Sequence, residues 1–280
     1  MKIRFHLICI IFLFSFYSSV FANENRIISL IPSSTEMVFA IGMGKELVAV
    51  SHYCNFPADQ ISHLPRIGDQ NLNIEKIISL KPTILVDTNS IHKRYEKLFE
   101  RLKLNYFNME IRKPEDLPIA AKLLAAKLGN DSGADVFAEM FNREISNLQI
   151  IQNNQKPKVY MEIWNNPIQC VGGNNNLDSM INIAGGQNPL AELGEFPTVN
   201  SEMLIKSNPD VIILAYPDAN IPSIYERPGW KAINAVKNHN IFTINQDLIV
   251  RPSPRNIYAI RELNKIFNQV VNKYESAEKH

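Results

Sequence analysis

One pattern occurs twice in this chain: Asn-x-Glu, six more residues, then proline and a short apolar run. The first copy begins Asn73-Ile74-Glu75 and reaches Pro82-Thr83-Ile84-Leu85-Val86. The second begins Asn200-Ser201-Glu202 and reaches Pro209-Asp210-Val211-Ile212-Ile213. The Glu-to-Pro step is seven residues in both, from 75 to 82 and from 202 to 209. A polar residue able to cap free backbone N–H groups opens a helix, and proline marks the turn beyond it. The short apolar run that follows reads as a buried strand. Two such units predict two related lobes, each offering one glutamate at the start of a short helix.

The rest of the chain fits an α/β alternation. Arg26–Ile31 and Leu47–Val50 read as strands. Between them Pro32-Ser33-Ser34-Thr35-Glu36 supplies hydroxyls suited to cap a helix that ends at Gly42. Thr83–Val86 and Leu104–Asn108 are further strands, flanking a charged helix around Ile91–Leu102. In the second half, Lys158–Trp164, Val211–Leu214 and Asn240–Asn245 read as strands. Asp178–Gly185 echoes Thr35–Gly42, with a Met-to-Gly step of five residues in each. Short apolar strands alternating with helices predict parallel-type sheets.

Between the halves, residues 114–129 and about 131–152 read as continuous helix. Val136, Phe137, Met140, Phe141, Ile145, Leu148 and Ile151 form an amphipathic stripe. Some 20 residues at 1.5 Å rise make a rod of about 30 Å, read as a stiff connector between lobes. The expected organisation is therefore an N-terminal lobe over 23–129, a connecting helix over 130–153 and a C-terminal lobe over 154–280. A last helix over Pro254–Lys273 carries its own stripe of Ile257, Ile260, Leu263, Ile266, Phe267 and Val270.

The first 22 residues carry a different signal. Lys2 and Arg4 precede an apolar run from Leu7 to Tyr17, and Val20-Phe21-Ala22 places small residues at the −3 and −1 positions of a cleavage site. This predicts a secretory signal removed after Ala22; the run is well short of the roughly 20 apolar residues of a membrane span. Removing Lys2 and Arg4 from 29 basic residues leaves 27 against 28 acidic ones. A net charge of −1 provides no field for nucleic acid or anionic membrane. Export permits disulfides, but Cys54 and Cys170 fall in different expected lobes and are read as free or buried thiols.

Signatures of catalysis are scarce. The chain has no Gly-x-Ser-x-Gly elbow, phosphate-binding Gly-x-x-x-x-Gly-Lys-Ser/Thr or His-Glu-x-x-His. Its histidines are dispersed, with His52 and His63 eleven residues apart, no recognised metal spacing. No nucleophile–base pair can be named around Asp247 or His52, so an exported enzyme is disfavoured. No metal site or resident cofactor is expected. Polar–aromatic loops after strands, Ser51–Pro57, Tyr216-Pro217-Asp218 and Asp247–Arg251, together with Gly194-Glu195-Phe196-Pro197, are suited to line a cleft at the carboxyl ends of the sheets. The Gly172-Gly173-Asn174-Asn175-Asn176 loop either lines a cleft or simply turns the chain.

Arg26–Glu36, the loop around Tyr53, the Asn-Leu-Asn-Ile-Glu segment at 71–75 and Arg251-Pro252-Ser253-Pro254-Arg255 occur together, in this order. In this the mature chain resembles the periplasmic substrate-binding proteins of ABC importers for cobalamin and iron complexes, especially the cobalamin-binding branch. The resemblance implies two α/β lobes joined by a backbone helix, a periplasmic location and a monomer that serves a permease dimer in the inner membrane. It implies that Glu75 and Glu202 dock onto permease arginines; two carboxylates can each accept an arginine pair. Tyr53, Phe196, Asp247 and Arg251 fall at positions that resemble cobalamin contacts. Asp69 stands where that branch has a tryptophan and Phe196 where it has another, which removes stacking area. The branch's second-lobe disulfide has no counterpart, since Cys170 is the only cysteine there. Cobalamin is the expected ligand, with a ferric siderophore or haem as the alternative.

Overall fold

The computed structural model describes residues 25–150 and 156–278. The expected signal segment and Ile151 of the connector stripe lie outside those residues. Two sheets stand side by side, and each is built on a strand buried along its whole length. The first contains β1 (Ile27–Ser29), β2 (Leu47–Val50), β3 (Ile84–Thr88) and β4 (Tyr106–Met109) in the order β2-β1-β3-β4, all parallel. The second contains β5 (Val159–Asn165), β6 (Ile168–Cys170), β7 (Val211–Leu214) and β8 (Ile241–Thr243) in the order β6-β5-β7-β8. The two orders are the same permutation. They differ at one edge, where β6 returns antiparallel to β5 as a hairpin, Glu162 opposite Cys170 and Asn165 opposite Ile168.

The helices, in chain order, are α1 (Pro32–Ala40), α2 (Ile74–Ser79), α3 (Glu96–Arg101), α4 (Leu117–Leu128), α5 (Asp131–Ile150), α6 (Asn176–Ile183), α7 (Ser201–Ser207) and α8 (Asn256–Glu278), with short helical turns between several of them. The duplicated pattern forms α2 before β3 and α7 before β7. The duplication holds atom for atom at the caps: the Asn73 side chain accepts from the Lys76 N–H at 2.9 Å, and Asn200 from Met203 at 2.9 Å. Lys81 and Asn208, each just before its proline, both take left-handed backbone angles, with φ of 47° and 42°. That conformation turns the chain from helix into strand. α2 and α7 thus occupy equivalent places in the two sheets.

The hydroxyls in the first turn of α1 serve a different purpose from the expected cap. Ile31 is the N-cap and makes no side-chain bond. Thr35 instead donates to Ser29 Oγ at 2.8 Å and sits 3.1 Å from Cys54 Sγ, while Ser34 bonds Thr88 across 3.0 Å. These residues lie inside the helix, buried against β1 and β3, and pin it to the sheet with polar contacts that burial makes obligatory.

The long helix bears on both halves: α5 packs along α4 and touches α1, α6 and α8. Its inward stripe is rotated from the expected one. Phe137, Phe141 and Leu148 are buried with Ala134 and Ala138, whereas Val136 and Met140 face solvent, because α4 covers only one flank. The largest apolar cluster runs unbroken from Ile27, Val86 and Leu124 through Phe137 and Phe141 to Met161, Ile181, Ile213 and Leu263. Cys54 and Cys170 are both buried and free. None of the described helices is long and apolar enough to cross a membrane.

Candidate functional site

A groove between the lobes is lined from the first half by segments that follow β1, β3 and β4, the carboxyl-end position at which ligands of open α/β sheets bind, and from the second half by the loop before α6, Glu195–Phe196 and Val250–Pro252. It has two compartments that share Val250 and Pro252. The first, of about 310 Å³, lies between the segments after β3 and β4 on one side, Asn89 and Glu110–Arg112, and Asn174–Leu177 with Glu195–Phe196 on the other. The second, of about 390 Å³, is walled by Leu30–Ser33 between β1 and α1, Tyr53, Asp69, Gln70, Ile91, His92 and Arg251. Each falls in the size range of small-molecule sites, roughly 300–1,000 Å³.

Each wall is held by local chemistry. Asn89 donates to the Ile111 carbonyl at 2.8 Å and accepts from the Ile111 N–H at 2.7 Å, fixing the segment that carries Glu110 and Arg112. Asn175 caps α6 by accepting from Leu177 and Asp178, and its amide donates to the carbonyl of Glu195 at 2.7 Å. Gly172 and Gly173 let the two loops meet: a Cβ on Gly172 would stand 1.9 Å from the Gly194 oxygen, and one on Gly173 2.0 Å from that of Ala191. The asparagine-rich loop therefore builds the cleft wall chiefly through the Asn175 amide, while Asn176 donates to Asn256.

Of the residues expected at a ligand site, Tyr53, Asp69 and Arg251 meet in the second compartment, and Phe196 lies in the first. Tyr53 and Phe196 are both exposed. Asp247 is placed differently, outside the lining of both compartments. It accepts from Asn55 Nδ2 at 2.7 Å and pairs with Arg251 at 2.9 Å, while Arg251 donates to Asn55 Oδ1 at 2.7 Å. These three close a ring of contacts from one lobe to the other. Beside it Arg255 donates to the buried Glu36 carboxylate at 2.5 Å and stacks over Phe56 at 4.4 Å. Asp247 and Arg255 thus work as an interlobe clasp behind the cleft.

Glu75 and Glu202 sit in the first turns of α2 and α7. Both are exposed, and among the described residues neither is held in a hydrogen bond or ion pair. The helix behind Glu202 is braced from within. Trp230 Nε1 donates to Ser201 Oγ at 3.0 Å, and Arg227 stacks on Trp230 at 4.4 Å. Arg227 in turn grips the fully buried Glu162 at 2.6 and 2.7 Å, and Tyr160 donates to the same carboxylate at 3.0 Å. Burial, followed by the charge of Glu162, pushes the Tyr216 hydroxyl and the Cys170 thiol each up to about 12.

The first compartment's Glu110 and Arg112 left no trace in the sequence, since a charged pair after an edge strand has no distinguishing spacing. Trp164 is also exposed, on the β5–β6 hairpin, with its Nε1 donating to the Asn166 carbonyl. Among the described residues no group of three or more His, Cys, Asp or Glu side chains could hold a metal ion.

Comparison with known proteins places this geometry. The family model described as periplasmic binding protein matches residues 27–248. A vitamin B12-binding protein of Vibrio parahaemolyticus is 28% identical over 274 residues, covering 95% of this chain and 98% of the relative. A Bacillus subtilis protein described as an uncharacterized ABC transporter substrate-binding lipoprotein is 26% identical over 250 residues, 86% of this chain and 79% of its own. Among solved structures, the periplasmic vitamin B12-binding protein BtuF of Vibrio cholerae matches with a TM-score of 0.74 at 25% identity, over 88% of this chain and 97% of that one. The haem-binding protein HutB of the same species matches with a TM-score of 0.78 at 19% identity, over 87% and 98%, a likeness of fold.

Proposed function

This chain belongs to the periplasmic binding protein family, and from that premise we propose that it captures cobalamin or a related corrinoid between its lobes. It is a substrate-binding protein of the ABC importer class, working with a membrane permease. In this reading the mature chain is a periplasmic monomer without a chemical step, and its affinity comes from burying the ligand in the interlobe groove.

The observation that favours a corrinoid is the charge of the lining. Haem and many ferric siderophores are anionic and call for cations, with arginine suited to carboxylate groups. The two compartments offer Arg112, Arg251 and His92 against Glu110, Glu195 and Asp69, and the His92 ring is taken up by Asp87 and the Asp69 carbonyl. Arg251 is moreover already paired with Asp247. A corrin is rimmed by neutral primary amides, whose N–H groups suit acceptors such as Glu110 and Glu195, while Tyr53 and Phe196 supply apolar faces. The names of the vitamin B12-binding relatives point the same way. Titrating the purified mature chain with cyanocobalamin, haemin and a ferric hydroxamate by visible absorbance tests the choice. Tight haemin binding beside no cyanocobalamin affinity would transfer the assignment to haem.

Glu75 and Glu202 are the proposed permease contacts. Two exposed carboxylates on equivalent helices, one per lobe, match a two-fold partner and fix the register of docking. The alternative role, a favourable charge at a helix start, is worth only about 0.3–1 kcal/mol. Replacing both with alanine is expected to abolish uptake while leaving ligand affinity intact; unchanged uptake would end the docking reading.

A further inference from the structure

A buried histidine in the cleft wall faces acceptors on both ring nitrogens. His92 is 1% exposed, yet it lines the second compartment. Its backbone N–H donates to Asp87 Oδ2 at 2.8 Å. Its ring Nδ1 lies 3.3 Å from Asp87 Oδ1, and its Nε2 lies 2.8 Å from the Asp69 carbonyl. A carbonyl only accepts, so Nε2 carries a proton. The Asp87 carboxylate, which already accepts from the Tyr106 hydroxyl at 2.9 Å, is likewise an acceptor toward Nδ1. Both ring nitrogens therefore face acceptors, and only the imidazolium satisfies both.

We infer that His92 is a positioning residue held as an imidazolium, and that its charge fixes the Asp69–Gln70 wall so that ligand affinity falls when the ring loses its proton. This rests on the reading of the groove as the ligand site. The ring ties the end of β3, through Asp87, to the loop that lines the cleft and runs on into α2. Neutral histidine keeps one of the two bonds and gives up the other, either the pull of Asp87 or the hold on Asp69.

The groups around the ring come from five segments. Asp87 on β3 and the Asp69 carbonyl favour the charge, and burial opposes it. Arg94, two residues on, also opposes it, but its guanidinium is engaged with Gln70, Asn71 and the face of Tyr95. Tyr106 on β4 shares Asp87, and its hydroxyl is held protonated by burial, Asp87, Glu96 and Glu110. Arg251 lines the same compartment from the other lobe. Desolvation is the largest single influence on His92 and lowers its proton affinity, yet the contacts to Asp87 and Asp69 together outweigh it, so the proton is held above the ordinary value of 6.5. A raised value makes the contribution complete below 6.5 and lost as pH rises through the folded value above it.

The test uses the mature chain without ligand first. Nitrogen-15 NMR of the imidazoles picks out the His92 ring by its slow solvent exchange. Both nitrogens are expected to be protonated at neutral pH, with amide exchange at Asn71 and Leu72, corrected for its intrinsic pH dependence, quickening as the ring titrates. Cyanocobalamin is then titrated between about pH 6 and about pH 9, the span in which a histidine charge changes. Affinity is expected to fall about fivefold toward the alkaline end, the loss of one ordinary hydrogen bond. In His92→Gln, whose amide can still donate to the Asp69 carbonyl, the profile is expected to be flat. A ring that keeps one unprotonated nitrogen throughout, or a wild-type profile matched by the variant, overturns the inference. If cyanocobalamin binds at no pH, the ligand reading fails instead, and ring state and amide exchange still decide the role of His92, with or without a folded variant.

Discussion

Replacing Arg227 by methionine strands a charge where water cannot reach it. Glu162 is 0% exposed and receives both ends of the guanidinium, at 2.6 and 2.7 Å. Removing one member of a buried pair costs about 3–5 kcal/mol, because the remaining ion keeps its desolvation penalty. The guanidinium also lies 4.4 Å from the Trp230 ring centroid, and losing that contact adds about 0.5–1 kcal/mol. Tyr160 still donates to Glu162, and the methionine fills part of the space, so the net loss is placed at about 4 kcal/mol. Urea unfolding of the mature chain, followed by tryptophan fluorescence, should show a lower midpoint with an unchanged slope. Changing Glu162→Gln in the same protein removes the stranded charge and keeps an acceptor for Tyr160. At least about 2 kcal/mol of the loss should return, as the coupling of a contacting pair. A single-variant cost below about 1 kcal/mol, or a double variant as unstable as the two changes added, would refute the reasoning. The same substitution should speed amide exchange in α7, because Trp230 anchors that helix through Ser201.

Three other outcomes follow from contacts already described. Glu36→Gln leaves Arg255 and Arg251 facing a neutral amide at the interlobe clasp; it should cost about 2 kcal/mol and enlarge the radius of gyration measured by small-angle scattering. Gly172→Ala drives a methyl group into the Gly194 carbonyl and should destabilise by about 1–3 kcal/mol in a thermal melt, with weaker ligand binding as the first compartment shifts. Burial raises Cys54, and burial with Glu162 pushes Cys170 up to about 12. Neither thiol should react with a disulfide reagent at about pH 8, where an ordinary thiol near 8.5 is partly ionised, until the protein is unfolded.

The architecture was legible where its causes are local. Asn73 and Asn200 cap helices because their side chains reach a backbone N–H three residues on, and β7 falls on the largely β-branched run Val211–Leu214 just after the turn at Pro209. The β5–β6 hairpin was not legible: β6 is three residues, Ile168-Gln169-Cys170, too short to show a period. The hydroxyls of Ser34 and Thr35 looked like a cap because their tertiary partners, Thr88 and Ser29, lie on strands that only the fold brings near. Val136 and Met140 fit the helical stripe as well as Phe137 does, and only the placement of α4 decides which flank is covered. At the cleft, Tyr53, Asp69, Phe196 and Arg251 stood out through the family resemblance. Asp247 belongs to the same resemblance, and its contacts with Asn55 and Arg251 are set by side-chain rotamers that no spacing encodes. Glu110, Arg112 and His92 depend on contacts between distant segments and gave no local sign.

The apolar cluster that passes without a break from β3 through α5 to β7 has a consequence for how such a chain can change over generations. A half taken from one relative and joined to a half from another would bring mismatched surfaces to the Phe137–Phe141 and Leu263 seam, and interiors tolerate volume mismatch poorly. The two halves are thus best inherited together, and new ligand preferences arise most cheaply at the exposed cleft side chains Tyr53, Glu110, Arg112 and Phe196, which lie outside the shared interior. Library designs that diversify the exposed cleft residues Tyr53, Glu110, Arg112 and Phe196 should keep most members folded, whereas shuffling across residue 130 should keep few.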